Sequence, residues 1–160
     1  MIKTALILTL SSIMASAWFM PTMSFGYGDD DDNTNVDKSY VRDDKKEAVQ
    51  DTSSSRVYYD STPSAKMHFF KAWEYCQKMD YLGKNDWRVP SKDELRSLLE
   101  LSRTSINVKH AFKNVKEEKY WTSTQDRYEQ AYYVDFDLGR YSTDKYTNKY
   151  RVICVRDSKQ

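Results

Sequence analysis

Glycine, proline, cysteine and histidine are all scarce in this chain. Its 160 residues contain four Gly, three Pro, two Cys and two His. So little Gly and Pro excludes a collagen-like or low-complexity architecture for the chain as a whole. Two Cys without a C-x-x-C spacing, beside only two His, also give little support for a zinc or redox site.

Aromatic residues are plentiful by contrast. The chain holds 13 Tyr, 6 Phe and 4 Trp, although only 39% of its residues are apolar and its mean hydropathy is −0.84. The predicted core is therefore modest and built largely from rings, and Tyr hydroxyls remain available for polar contacts. A chain of this length predicts one domain once any leader is removed.

The first residues have the pattern of a signal peptide. A short basic start at 1–3 precedes an apolar stretch over 4–14, and Ala15-Ser16-Ala17 is an A-x-A cleavage motif. We predict a signal peptide over 1–26, cleaved after residue 17 or 26, and therefore a periplasmic or secreted protein. A retained membrane anchor is the alternative, but polar residues interrupt the apolar stretch and no basic cluster follows it. We expect no stable membrane span after cleavage.

The two cysteines can be interpreted in the light of export. Cys76 and Cys154 are the only pair in the chain, and an exported protein with two Cys most often joins them. In the chain-entropy model a bond that closes so long a loop contributes about 4 kcal/mol. A redox or metal-binding pair is the alternative.

Charge is distributed unevenly. Residues 1–55 hold five Lys or Arg against nine Asp or Glu, and residues 56–160 hold twenty against fifteen. We predict an acidic disordered linker over 27–39, since Asp29 to Asp32 form a run without apolar periodicity. The mildly basic remainder suits an anionic partner, but it lacks the concentrated basic stripe of a nucleic-acid binder.

No metal site is predicted in the acidic run. A calcium loop that began at Asp29 would place Thr34 at the glycine position and Tyr40 at the glutamate position. Neither residue meets the requirement of that loop.

Short strands and a helix are expected in the first half of the domain. β-Forming residues between charged and Ser-rich turns predict one or two strands over 40–59. An apolar face predicts a helix over about 65–79 that carries Cys76 inward. The face consists of Phe69, Phe70, Trp73, Cys76 and Met79.

The sharpest local signal follows the segment Asp86-Trp87-Arg88-Val89-Pro90. Pro90 keeps the preceding chain extended. Ser91 and Glu94 form a capping box, which predicts a second helix that ends near Ser102. We assign structural roles, in this motif and in a later strand, to Trp87, Arg88, Pro90, Ser91, Glu94 and Trp121.

The last third has the alternation of antiparallel strands. Residues 131–137 alternate between apolar and polar, and a hairpin turn over 137–140 leads into a returning strand. A short strand is expected over 120–124 and a last one over 150–156. Strands that flank two helices predict an α+β domain.

Several motifs follow one another in an order that a known family shares. They are GKNDWRVPSKDELRSLLE, INVKHAF, YWTST, AYYVDFDLGR and YRVICVRD. Together they resemble the Lcl C-terminal domain family, which is named for the C-terminal domain of a collagen-like bacterial adhesin. The resemblance covers about 40–157. The same features are similar to the wider group of C-type-lectin-like and formylglycine-generating-enzyme-like folds.

That resemblance implies a specific architecture. It implies two helices packed on a small twisted antiparallel sheet, C-type-lectin-like, with Cys76 and Cys154 tying the first helix to the last strand. Two features depart from this pattern. The collagen-like adhesin has Gly-X-Y repeats before its domain and this chain has none, so trimerisation through such repeats has no support. Arg56-Val57-Tyr58-Tyr59 stands where the family usually has a Leu-x-Trp segment.

Catalysis has little support in the sequence. His68 and His110 lack a Ser/His/Asp spacing or a Gly-rich phosphate loop. Asp135 and Asp137 would lie roughly 6.5–7 Å apart on one strand face. A glycosidase needs a comparable separation, but alternating acids more often form the solvent-exposed face of a strand. Formylglycine-generating chemistry needs active-site cysteines, and both are assigned to the disulfide. We expect no enzyme and no cofactor.

Binding is the function that the composition favours. Tyrosines interleave with Lys and Arg in the last third, and such surfaces suit sugar rings, sulfates and carboxylates. We predict recognition of an anionic polysaccharide, as in an adhesin. The alternative is a periplasmic protein-interaction or structural domain whose partner is a cell-envelope protein. The candidate ligand-binding residues are Arg127, Tyr128, Tyr133, Asp135, Arg140, Lys145, Tyr146 and Lys149.

Overall fold

The computed structural model describes residues 39–101 and 106–158. The predicted signal peptide and all of the predicted linker except Ser39 lie outside these residues. Within the described part the chain forms seven strands and two helices. In chain order these are β1 Tyr40–Asp43, β2 Ala48–Asp51, β3 Arg56–Tyr59, α1 Phe69–Gln77, α2 Lys92–Arg96, β4 Lys119–Asp126, β5 Gln130–Asp135, β6 Arg140–Lys145 and β7 Val155–Asp157.

The strands form two antiparallel sheets rather than the single sheet that was expected. One has the order β1-β2-β3-β7 and the other the order β4-β5-β6. The α+β class is confirmed, but the expectation of one sheet is wrong. The three strands of the second sheet are joined by short hairpins and pair in chain order, and β4 makes one further bridge, to Arg151. The N-terminal strands instead pair with the C-terminal end of the chain.

The segment between the two sheets explains this division. Arg151 bridges to Tyr120 of β4, whereas Val155 pairs with β3. Between them, Val152 and Cys154 pack in the apolar cluster around α1, and Ile153 packs in the apolar cluster around α2. The sequence predicted one strand over 150–156, but only Val155–Asp157 is regular strand. Successive side chains of this segment still point to opposite faces, as in a strand, and both faces are buried.

Helix α1 is shorter than predicted and buries a narrower face. It spans Phe69–Gln77 and buries Phe69, Ala72 and Cys76, which are spaced three and four residues apart. Phe70 was expected on that face but is 62% exposed, since it lies about 100° around the helix from Phe69.

The capping box of α2 is present. Ser91 Oγ accepts a hydrogen bond from Glu94 N at 3.2 Å, and Ser91 N donates to Glu94 Oε2 at 2.7 Å. The helix ends at Arg96 rather than near Ser102. Leu98 N and Leu99 N bond to carbonyls three residues back instead of four, which tightens the last turn and closes the helix.

Two apolar clusters hold the domain together. The first lies between the four-stranded sheet, α2 and one face of the three-stranded sheet. The second lies between α1 and the opposite face of the three-stranded sheet and contains the disulfide. The large members of the first include Tyr58, Leu95, Leu98, Tyr120 and Phe136, and those of the second include Phe69, Trp87, Trp121 and Tyr133.

The predicted disulfide is confirmed. Cys76 of α1 and Cys154, the residue before β7, are bonded, with Cα atoms 5.5 Å apart. Both residues are fully buried. The bond therefore ties the first helix to the start of the last strand.

The hairpin between β5 and β6 depends on a glycine. Gly139 has φ +61°, and a Cβ atom there would lie 3.2 Å from Cγ of Asn107, a buried side chain fixed by hydrogen bonds to Phe136 O and Asp137 O. It would also lie 2.6 Å from Cδ2 of Leu101, which is 80% exposed and can move aside. We expect Gly139→Ala to lower the free energy of unfolding by about 2 kcal/mol, because it adds a steric clash to the cost of a left-handed alanine. Urea unfolding measures this change.

Gly83→Ala is the matched control for that prediction. Gly83 has φ +66°, but nothing lies within 4 Å of an added Cβ. This variant should therefore lose only about 1 kcal/mol, the backbone contribution. Equal losses in the two variants would contradict the proposed contact with Asn107.

Candidate functional site

The structure divides the predicted ligand-binding residues between the two ends of the β5–β6 hairpin. Arg127 and Tyr128 lie in the β4–β5 turn, and Tyr128 is 86% exposed. Lys145 ends β6 at the same end, and Tyr146 N bonds to Glu129 O at 3.2 Å. Lys149 follows in the loop after Tyr146 and is exposed. These five residues form one neighbourhood.

Arg140 and Asp135 lie at the other end of the hairpin. They face each other across the strands, and Arg140 is five residue steps along β6 from Lys145, about 17 Å. Asp135 is buried, and its Oδ1 accepts hydrogen bonds from Asp137 N and Leu138 N at 3.1 and 3.2 Å. The expectation that Asp135 lies on a solvent-exposed face is therefore wrong, because this carboxylate closes the turn.

Tyr133 is part of the second apolar cluster. Its ring centroid lies 5.0 Å from that of Tyr150, and Lys119 Nζ lies 4.7 Å from the Tyr133 ring. Burial, together with the hydrogen bond to Asp144, raises the pKa of Tyr150, so this hydroxyl stays a neutral donor to the carboxylate. Tyr133 therefore has a packing role on the face of the sheet that carries α1.

A second group of residues forms a more open surface on the face of the sheet that carries α2. Lys92 Nζ lies 4.9 Å from the ring centroid of Tyr132 and 5.8 Å from that of Tyr141. Arg96 Cζ lies 5.1 Å from the Tyr141 ring. The two rings are 6.5 Å apart. We call Lys92, Arg96, Tyr132 and Tyr141 the cation–tyrosine platform.

Local structure explains why these four side chains meet. Lys92 and Arg96 are one helical turn apart, so both project from the same side of α2. Val134 pairs with Tyr141 across the β5–β6 ladder, which makes Tyr132 and Tyr141 diagonal neighbours on one face. Thr124 Oγ1 accepts a hydrogen bond from Lys92 N at 2.9 Å and fixes the start of α2 against β4.

The cations of the platform are largely without carboxylate partners. Lys92 Nζ reaches only Asp93, at 4.0 Å, and no ion pair of Arg96 occurs among the described residues. Arginines elsewhere are held differently: Arg156 is paired with Asp86 at 2.7 Å and Arg151 with Glu118 at 2.8 Å. The positive charge of the platform is therefore available to a ligand.

One predicted residue extends this surface. Tyr141, Thr143 and Lys145 alternate along β6 and so lie on the same face. Lys145 is exposed and stands about 13 Å along the strand from Tyr141. The platform and Lys145 together form a stripe of three cations and two rings.

Sequence reasoning missed Lys92 and Arg96 as candidate site residues. Two cations four residues apart after a capping box were visible in the sequence. Their position over Tyr132 and Tyr141 was not, because it depends on how α2 packs across the three-stranded sheet.

The residues assigned to structure make buried contacts. Trp87 and Trp121 are at most 2% exposed, and their indole N–H groups donate to Lys84 O and Met67 O, both at 3.0 Å. Arg88 forms a two-pronged contact with Glu94, with nitrogen–oxygen distances of 2.7 and 2.8 Å. Pro90 is fully buried.

Neither a metal site nor a membrane-spanning helix occurs among the residues that the structure describes. Across residues 39–101 and 106–158, no three His, Cys, Asp or Glu side chains converge as a metal site would require. Over the same residues neither helix is long and apolar enough to cross a bilayer.

The fold and the platform together define an α+β domain of two antiparallel sheets, closed by one disulfide, with a cationic aromatic surface. A comparison with family models matches the Lcl C-terminal domain over residues 39–156. The chain belongs to this family. A search of curated proteins found no match.

Proposed function

We propose that this protein is an exported, non-catalytic module that binds anionic polysaccharide through the cation–tyrosine platform. The observation that carries the proposal is the position of two cations without strong carboxylate partners over two tyrosine rings. Lys92 and Arg96 supply charge, while Tyr132 and Tyr141 supply flat apolar faces.

The chemistry of the platform suits sulfated or uronate sugars. The planar guanidinium of Arg96 can bind two oxygens of one sulfate or carboxylate at once. Tyr141 is 40% exposed, so the part of its ring that the cations leave uncovered can pack against a sugar ring, and its hydroxyl can bind sugar hydroxyls. Lys145, further along the same face, would contact a later unit of the chain. A linear polyanion fits this arrangement better than a single small anion.

Export from the cytoplasm and a lectin-like fold would both suit the same function. We propose that residues 1–26 direct export to the periplasm or the cell exterior, and that residues 27–39 act as an acidic linker. We also propose that the fold is C-type-lectin-like, a group in which two helices pack on a small twisted antiparallel sheet with irregular loops on one side. The link between α1 and Cys154 agrees with that architecture.

The double variant Lys92→Gln/Arg96→Gln tests the proposal. We expect its dissociation constant for heparin to rise by about 10-fold to 100-fold in 150 mM salt, because two charge-assisted contacts are lost. The affinity of the unaltered protein should fall as salt rises, since exposed charges are screened over about 8–10 Å. Isothermal titration calorimetry at low and physiological salt measures both effects.

Lys71→Gln/Lys78→Gln is the matched control. It removes the same charge from exposed positions of α1, on the other face of the three-stranded sheet, where both lysines pair with Glu74. This variant should bind heparin within about twofold of the unaltered protein. An equal loss in both double variants would show that only net charge matters and would contradict a defined site.

A second candidate function rests on a different surface. A cleft of about 690 Å³ lies on the outer face of the four-stranded sheet, with Val41 and Leu82 in its lining. They are 52% and 46% exposed, and Lys45 and Lys84 also line the cleft. Exposed apolar groups in a cleft favour a protein partner. Cross-linking to a cell-envelope protein together with no binding of heparin would favour this function over the first.

A further inference from the structure

Strand β6 is an open edge of the three-stranded sheet. Its six residues pair with β5 without a bulge, and among residues 39–101 and 106–158 no strand lies on its other side. The irregularity of this sheet lies in β4 instead, between Trp121 and Gln125. Proteins commonly protect such edges with proline, bulges, very short strands or charged side chains, lysine above all. Strand β6 has no proline or bulge, but it carries the charged residues Arg140, Asp144 and Lys145, so a second strand can pair with it only in a register that matches their charges.

The alternation of bonded and non-bonded residue pairs along the β5–β6 ladder shows which backbone groups of β6 face outward. Tyr146 N bonds to Glu129 O directly across the β5–β6 ladder. Bonded and non-bonded pairs alternate in an antiparallel ladder, so Arg140, Ser142 and Asp144 bond to β5. The backbone groups of Tyr141 and Thr143 therefore point away from it, and no backbone bond to them occurs among the described residues.

This pattern is complementary to itself. When a second β6 is laid antiparallel with Ser142 opposite Ser142, Tyr141 of each copy lies opposite Thr143 of the other. Both of these residues have outward backbone groups, so they can form bonded pairs. In the same register Arg140 of each copy lies opposite Asp144 of the other, which places two opposite-charge pairs across the seam.

The two strands are related by a two-fold axis that passes through Ser142 in this register. If the axis passes instead through the residue before or after Ser142, the opposite-charge pairs are lost. With Thr143 on the axis, Tyr141 lies opposite Lys145, and Arg140 lies opposite Tyr146. With Tyr141 on the axis, Arg140 lies opposite Ser142. The Ser142-centred register alone among these three pairs opposite charges.

We propose that two copies of this protein associate through β6 in the register centred on Ser142, joining their three-stranded sheets into one of six strands. Asp144 keeps its bond from Tyr150 in this arrangement, because a carboxylate has about four acceptor positions. Directly opposite residues share a face, so both cation–tyrosine platforms lie on the same side of the joined sheet. The association itself does not depend on the proposed function.

A cysteine at position 142 tests the register. Opposite residues of a non-bonded pair have Cα atoms about 4.5 Å apart, which is within disulfide range. The full chain with Ser142→Cys should therefore form a covalent dimer with copper phenanthroline, which takes up the two electrons as both thiols lose their protons. Thr147→Cys is the control, an exposed position beyond β6. We expect it to form at least fivefold less covalent dimer at the same concentration.

Charge reversal tests the complementarity. Adding Arg140→Asp to Ser142→Cys should cut covalent dimer formation about tenfold, because two attractive pairs become repulsive. Adding Lys149→Asp instead makes the same change of charge at an exposed loop position and should leave the yield unchanged.

Sedimentation of the unaltered chain completes the test. A seam of one strand per copy is small, so we expect a dissociation constant of roughly 10 to 1,000 μM. A monomer at about 1 mM would overturn the proposal. So would a dimer or trimer that Arg140→Asp leaves intact, or equal cross-linking of Ser142→Cys and Thr147→Cys.

Discussion

Replacing Cys76 and Cys154 together with alanine is expected to lower the free energy of unfolding by about 4 kcal/mol. The bond joins residues 78 positions apart, and in the chain-entropy model a loop of that length restricts the unfolded chain by about this amount. A domain of this size has a total stability of about 5–15 kcal/mol, so the loss is a large fraction. Urea unfolding at equilibrium measures it through the midpoint and the slope.

Reduction of the unaltered protein separates the cross-link from packing. Both cysteines are fully buried in the second apolar cluster, so alanine also removes two sulfur atoms from the core. The reduced protein keeps those atoms and should still lose most of the 4 kcal/mol. If oxidised and reduced protein unfolded at the same urea concentration, the disulfide would not contribute stability in this way.

The second large effect is expected from Glu94→Gln. Glu94 is 9% exposed and accepts hydrogen bonds from Arg88 and from Ser91 N. Arg56 Nε also lies 2.8 Å from Glu94 Oε1, at an angle that adds charge attraction without a directional bond. Breaking a buried ion pair typically costs about 3–5 kcal/mol. We expect about 2 kcal/mol here, since the two arginines are 39% and 32% exposed.

The effect of Glu94 should depend on pH. Burial pushes its pKa upward, but the hydrogen bonds from Arg88 and Ser91 and the charge of Arg56 outweigh burial, so the pKa is lowered in the folded protein. A lowered pKa means that the ionised group stabilises the fold above its unfolded pKa of about 4.3. This stability is lost as pH falls through the folded pKa. The stability curves of Glu94→Gln and the unaltered protein should therefore approach each other only as pH falls from about 4.3 through the lower pKa of the folded protein.

Glu74→Gln is the control for Glu94. Hydrogen bonds from Lys71 and Lys78 lower the pKa of Glu74 to about 2, but these pairs lie on the exposed face of α1. Exposed ion pairs contribute little to stability because solvent screens them, so the unfolding midpoint of this variant should stay close to that of the unaltered protein. A loss at Glu74 as large as at Glu94 would contradict the role assigned to burial.

Features that depend on neighbouring residues were predictable from the sequence. The capping box of Ser91 and Glu94 needs only its own turn, and the β5–β6 hairpin needs only alternation and Gly139. The disulfide followed because only one pairing of the two cysteines exists. The family was predictable for a related reason, since its motifs are local and occur in order.

Features that depend on distant contacts were not predictable. The early end of α2 and the exposure of Phe70 depend on what packs against each helix. The division of 150–156 between two sheets depends on two apolar clusters that meet along that segment. An alternating pattern shows that a segment has two faces, but it does not show which element covers each face.

The same limit applied to the candidate site. Tyrosines and cations in the last third pointed to the three-stranded sheet, but in the structure they divide into a buried group and an exposed one. Tyr133 and Asp135, which were predicted to bind a ligand, are buried in the structure. Lys92 and Arg96 belong to α2 and are at least 36 positions away in the chain from Tyr132 and Tyr141. Rules based on local spacing do not detect contacts over that separation.

The central claim is that the cation–tyrosine platform binds a polyanion, and a titration followed by ¹H–¹⁵N NMR tests it most directly. The protein is titrated with dextran sulfate and, separately, with unmodified dextran, which differ only in their sulfate groups. We predict that dextran sulfate shifts the amide signals of Lys92, Arg96, Tyr132 and Tyr141 first, and that dextran shifts none of them. Shifts confined to the outer face of the four-stranded sheet, or none with either polymer, would contradict the claim.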